Sequence, residues 1–232
     1  MLSVIELFLP MLSEKLALHF EALASQLPAV PAGVSWLNPL VEVPGCSPVF
    51  LAFLNKYYTD EQPRQLILGI NPGRFGAGLT NVAFTDPAHL LRKCGIDSGF
   101  DKKEELSAKF IYMVIDAFGS VEQFYSKYFV NSVVPFGFVK DGKNYNYYDD
   151  KKLLEATRPL AIRHIQGLLE LGMDRSRCIC LGEGKNFKFL KKLNDEKGYF
   201  DEVIPLSHPR FIMQYRRKKL SEYLKAYLDV LR

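Results

Sequence analysis

Apolar and polar positions alternate along this chain in two rhythms. At Leu12, Leu16, Phe20 and Leu23 apolar residues recur every three or four positions, which predicts one or two helices between Val4 and about Leu27. The same spacing predicts a long amphipathic helix over Lys151 to Leu171, and a final helix whose face carries Leu220, Tyr223, Leu224, Tyr227, Leu228 and Leu231. Short unbroken apolar runs stand between such stretches and read as buried strands: Gln65 to Ile70, Tyr128 to Val134 closed by Pro135, Arg177 to Leu181, and Glu202 to Leu206. Helices are expected over Val49 to Tyr58, from Asp86-Pro87 through Leu91 with Gly95 as the stop, and over Lys102 to Phe118, Val121 to Tyr125 and Lys185 to Leu193. Pro28 to Pro48 reads as an irregular cover carrying Trp36, and Asp141 to Tyr148 as a polar loop. Strand and helix alternate four times, which predicts an α/β fold with a four-stranded, mostly parallel sheet between helices on both faces. With no repeat or linker, one domain is expected: residues 1–56 a helical and irregular cover, 57–232 the core.

The 232 residues are enough for one sizeable core, and 48% hydrophobic with 24% charged residues is an ordinary globular composition. A net charge of +4 leans mildly toward anionic partners; Arg210, Arg216, Arg217, Lys218 and Lys219 crowd near the C-terminus. The apolar start, Met1 to Pro10, lacks the basic flank and cleavage site of a signal peptide, and no apolar run is long enough to span a bilayer. An intracellular protein is expected, in the cytoplasm and nucleoid or in a nucleus, without a membrane partner. Cys178 and Cys180 alternate on one strand and face opposite sides, so they and Cys46 and Cys94 read as buried free thiols. No metal or cofactor is expected.

The chemistry is sought at the strand ends, since open α/β sheets place their sites there. After Leu66-Ile67-Leu68 the chain runs Gly69-Ile70-Asn71-Pro72-Gly73-Arg74-Phe75-Gly76-Ala77-Gly78, a loop whose glycines let backbone amides approach a ligand. It is not a dinucleotide fingerprint, because Asn81 stands where the third glycine belongs. It is joined by no P-loop either: Ile179 replaces the glycine ahead of Gly184-Lys185, and Asn186 replaces the Ser or Thr. No G-x-S-x-G elbow is present. The other strand ends offer Asn131-Ser132, Gly182-Glu183-Gly184 and Ser207-His208-Pro209-Arg210. An Asn71 that holds a water, a His208 that stabilises a leaving anion and a flat Phe84 suit cleavage of a base from a sugar. That trio lacks the acid and base carboxylates of ordinary glycosidases. A uracil-like base leaves as a delocalised anion, so a water-orienting Asn suffices if the leaving oxygen is well stabilised.

Gly69-Ile70-Asn71-Pro72-Gly73-x-Phe75-Gly76, Val82-Ala83-Phe84, Phe129-Val130-x-x-Val133-x-Pro135, Gly182-x-Gly184 and His208-Pro209 together resemble the uracil-DNA glycosylase superfamily, from about Tyr57 to the C-terminus. Within it the chain is most similar to the single-strand-selective monofunctional (SMUG-type) branch, because the mismatch-specific branch carries an Asn in place of His208. The resemblance implies a three-layer α/β/α fold and a monomeric, cofactor-free enzyme of base excision repair acting on single- or double-stranded DNA with a damaged base. It gives Asn71 the attacking water and His208 the base oxygen that gains charge. Phe84 would stack on the flipped base, with Gly69, Ile70, Pro72, Gly73, Phe75, Asn131 and Ser132 around it. Pro209, Arg210, Phe211, Arg216 and Lys218 would meet DNA, with Phe211, Ile212 or Met213 as an apolar wedge.

The chain departs from the family at one point. The base-reading Asn of the second strand aligns with Ser132, and Asn131, one position earlier, faces the other side of the sheet. A hydroxyl both donates and accepts, so it reads a base edge less strictly than an amide. Hypoxanthine, xanthine or 5-modified uracil are therefore expected beside uracil. His89 and His164 fall in helical segments and read as structural. The Arg216–Lys219 run reads equally as phosphate contact or as a solvated helix face. The tyrosines of Asn144 to Tyr148 read as loop packing rather than base stacking. No lysine is expected at the site, which favours a monofunctional enzyme. A catalytically silent nucleic-acid-binding relative is the alternative reading.

Overall fold

A computed structural model describes residues 11–232; the part of the first expected helix before residue 11 lies outside the described residues. Helix α1 (Leu12–Ala24) packs its Leu16 and Phe20 face against α3 (Cys46–Tyr57). Between them lie β1 (Val34–Leu37) and the short α2 (Pro39–Glu42). Then come β2 (Gln65–Gly69), a one-turn α4 (Ala77–Thr80), α5 (Pro87–Cys94), α6 (Leu106–Phe118) and α7 (Val121–Tyr125). The second half runs β3 (Tyr128–Ser132), β4 (Gly137–Lys140), β5 (Lys143–Tyr145), α8 (Lys151–Glu170), β6 (Arg177–Leu181), α9 (Lys185–Lys197) and β7 (Glu202–Leu206). It closes with α10 (Pro209–Tyr215), a 3₁₀ turn over Arg217–Lys219 and α11 (Leu220–Leu231).

The four expected strands form one parallel sheet in the order β3-β2-β6-β7. Leu66, Leu68, Cys178, Ile179 and Cys180 are fully buried, as a sheet covered by helices on both faces requires. Register aligns the exits: Gly69 lies opposite Ser132 and Leu181 opposite Leu206, so the Asn71 loop, Ser132 and Ser207-His208 leave from one edge. All four cysteines are buried thiols. No described helix is long and apolar enough to cross a membrane.

A second sheet was not expected. Strands β1, β4 and β5 form an antiparallel triplet that draws on both segments read above as irregular. In the cover, Val34 to Leu37 pairs with β4 while Trp36 sets its ring 4.5 Å from Phe138 and donates its indole N–H to Pro28 O at 2.9 Å. In the polar loop, Asp141 (φ 49°) and Gly142 (φ 68°) make a two-residue turn with both central φ positive, the Asp-Gly hairpin turn. Strand β4 passes so close to the Asn71 loop that a Cβ on Gly137 would sit 2.4 Å from Pro72 O. The expected helix over Lys102 begins only at Leu106, because the Glu105 N–H is taken by Asp86 Oδ2 at 2.7 Å and its backbone is extended. Strands β2 and β3 stop one and two residues early, where the Ile70 and Val133 backbone turns into the loops.

Candidate active site

The loop leaving β2 turns Asn71 toward the second sheet. Its Nδ2 donates to Tyr145 O at 3.1 Å and its Oδ1 accepts the Tyr147 N–H at 3.1 Å. A carbonyl on one side and an amide on the other leave only one orientation for this side chain. One lone pair of Oδ1 stays free, so the group can hold a water without moving. Behind it, the buried Tyr147 hydroxyl donates to Asn186 Oδ1 at 2.8 Å. The Asn186 Nδ2 in turn donates to Gly69 O at 3.2 Å and Leu181 O at 3.1 Å, stitching the exits of β2 and β6 together. Asn186, which spoiled the P-loop pattern, is a structural tie.

Phe84 has φ 53°, a left-handed backbone that a bulky residue adopts only when its surroundings impose it. Its ring lies over Gly69, where a Cβ would be 2.6 Å from Phe84 Cζ, so Gly69 supports the aromatic plate from behind. The His208 ring stands 5.7 Å away, tilted by 47°. His208 caps α10: its Nδ1 accepts the Arg210 N–H at 3.1 Å, which puts the ring proton on Nε2. Burial, helped by the Arg210 guanidinium, lowers this imidazole to about 4, so it is a neutral donor at neutral pH.

A cleft of about 760 Å³ gathers Ile70, Asn71, Pro72, Gly73, Phe75, Phe84, Ser132, His208, Arg210 and Phe211. Of the residues expected around the base, two lie elsewhere. Gly69 sits behind Phe84, and Asn131 faces away from the cleft: its Oδ1 accepts the Ser132 N–H at 2.8 Å and meets His164 Nε2 at 3.1 Å. Neighbouring residues on a strand point to opposite faces, so of the two only Ser132 reaches the cleft. The Ser132 hydroxyl has no partner among the described residues.

The wedge is narrowed by α10. Ile212 and Met213 are buried on its inner side, and so is Pro209, while Phe211 is 39% and Tyr215 62% exposed at the cleft rim. The Arg216 guanidinium lies 5.0 Å over the Phe211 ring. Arg216 and Lys218 flank a separate shallow surface beyond Tyr215. His89 is tied to Asp86 at 2.9 Å and His164 to His19 at 3.1 Å, both as structural pairs.

Four further residues line the cleft. Asn144 accepts the Arg74 N–H and Nε–H, each at 3.2 Å, and Asn146 stands beside it. Glu105 accepts the Phe75 N–H at 3.2 Å. Lys143, where no lysine was expected, lies exposed at the rim. The asparagines were visible as polar positions in a tyrosine-rich loop; Glu105 and Lys143 carried no local signal.

The family model described as "Uracil DNA glycosylase superfamily" matches residues 56–232. The crystal structure of wild-type SMUG2 from Pedobacter heparinus superposes with a TM-score of 0.91 at 39% identity, covering 96% of this chain and 97% of that one. A search of the curated proteins returns no match.

Proposed function

This chain belongs to the uracil-DNA glycosylase superfamily, and we propose that it is a monofunctional DNA glycosylase that removes deaminated bases in base excision repair. The observation that carries the reading is the convergence of a locked Asn71, the Phe84 plate and a neutral His208 donor in one cleft. A flipped base stacks on Phe84, at a cost of a few kcal/mol in lost duplex stacking that Phe211, filling the gap at the rim, helps to offset. Asn71 directs a water at C1′; the new C–O bond forms as the C1′–N bond breaks. The bond's electron pair leaves on the base, whose oxygen accepts from His208 Nε2–H, and the water's proton passes to solvent.

Ser132 sets the range of substrates. A free hydroxyl at the base edge accepts from one base and donates to another, so it admits lactam edges an amide would reject. The purified protein is expected to release uracil and at least one of hypoxanthine and xanthine from oligonucleotides, and Ser132→Asn to shift that ratio toward uracil. Brisk uracil release with both purines refused would remove the broad-range reading. No release of any base would favour a silent binding relative instead.

Lys143 makes a second test useful, because a rim amine is what a lyase step would need. A monofunctional enzyme forms no Schiff base with the abasic sugar. Borohydride added during turnover is therefore expected to trap no protein–DNA adduct; an adduct lost in Lys143→Ala would make the enzyme bifunctional.

A further inference from the structure

The cleft holds a carboxylate that the reaction above leaves unused. Glu105 stands at the N-terminal end of α6 with its own N–H held by Asp86 Oδ2 at 2.7 Å. Asp86 is fully buried and also takes the His89 N–H at 2.8 Å and His89 Nδ1 at 2.9 Å, so this anchor cannot swing. From it the Glu105 side chain reaches the glycine loop, 30 residues away in sequence, where Oε1 accepts the Phe75 N–H at 3.2 Å. The Gly76 N–H also acts on the carboxylate. The fit excludes side chains: a Cβ on Gly76 would lie 2.4 Å from Glu105 Oε2, and one on Gly73 3.2 Å from Oε1.

Consecutive backbone N–H groups in such a loop form a small concave site for an anion. Glycine-rich loops commonly leave that site for a ligand phosphate. Here the protein's own carboxylate fills it. We propose that Glu105 is a positioning residue for the reaction: the internal anion that binds the amides following Asn71 and holds the loop in its working shape. This rests on the glycosylase reading above. It follows that DNA phosphates are met by side chains at the rim and not by this loop.

The charge on Glu105 then matters, since a protonated carboxyl presents an O–H where the loop presents N–H donors. Burial pushes Glu105 up, the Phe75 amide pulls it down, Asp86 at the cap of α5 pushes it up again, and Arg210 of α10 pulls it down. From β5 it faces the neutral Asn144, and its own segment carries Lys103 and the Arg92-paired Glu104. The net direction is upward, so ionisation is lost at a higher pH than for an ordinary glutamate as acid is added.

Two measurements test the role: single-turnover release of uracil against pH, and amide hydrogen exchange at Phe75 and Gly76, each with wild type and Glu105→Gln. Wild type is expected to lose rate on an acid limb above the pH at which His208 titrates, about 4. Glu105→Gln should lose that limb, react roughly 10- to 100-fold slower at neutral pH because a small loop misplacement is costly, and keep its DNA affinity and base ratio. Exchange at the two amides should quicken in the variant at neutral pH, and in wild type only along the acid limb. An acid limb unchanged in the variant, a changed base ratio, or exchange indifferent to both pH and substitution would overturn the proposal. If wild type releases no base, the glycosylase reading fails, while the exchange measurement still decides whether Glu105 holds the loop.

Discussion

Asn71→Ala is expected to slow uracil release by about two to three orders of magnitude under single-turnover conditions, roughly 3–4 kcal/mol of barrier. Binding of uracil-containing DNA should change by no more than a few-fold, because the Asn71 side chain faces Tyr145 and Tyr147 rather than the basic rim. The loss is large because the amide's position is set before substrate arrives, so its one free lone pair costs no reorganisation. Asn71→Asp sharpens the test. It keeps the acceptor for the Tyr147 N–H but points a carboxylate oxygen at the Tyr145 carbonyl, so the side chain must turn away. Its rate should fall close to that of the alanine variant. A rate within about five-fold of wild type in both variants, well under 1.4 kcal/mol, would remove Asn71 from the chemistry.

His208→Ala is expected to cost about 10²- to 10³-fold in the same assay, the range for deleting one donor to a developing anion. The direction of the pKa shift sharpens the expectation. An imidazole lowered to about 4 in the folded protein is neutral across physiological pH. Its ring resonances should therefore stay put through the range near 6.5 where an unperturbed histidine titrates, and move only near 4. The linked stability is fully present above the unfolded value and is lost as pH falls toward the folded one. A ring that titrates near 6.5, together with full activity in the alanine variant, would show that His208 is neither walled in nor donating.

The sheet, and the placing of Asn71 and His208 at two of its strand exits, were legible because each rests on local patterns: apolar runs, glycine punctuation, and family-like motifs. What holds those residues was not legible. The partners of Asn71 lie 74 and 76 residues downstream, and both are backbone groups that any residue type supplies. Glu105 acts on Phe75 across 30 residues from a segment that reads as the start of a helix. The wedge was overdrawn for a different reason. Phe211, Ile212 and Met213 look alike as apolar residues after His208, and only the helical phase of α10 turns Ile212 and Met213 inward and Phe211 outward. Asp141-Gly142 did carry a hairpin signal, hidden by the polar residues around it.

The pairing of β1 with β4 bears on how this protein can be cut down. The family match begins at residue 56, which invites a shortened fragment starting there. Such a fragment would lose Val34 to Leu37 and leave β4 as a bare sheet edge, open to pairing with another chain. It would also strip Trp36 from Phe138, on the same small sheet whose β5 ends in the Tyr145 carbonyl that Asn71 uses. The stretch that looks like dispensable packaging is thus the buttress of the sheet that holds Asn71, and a shortened protein should keep Val34 to Leu37.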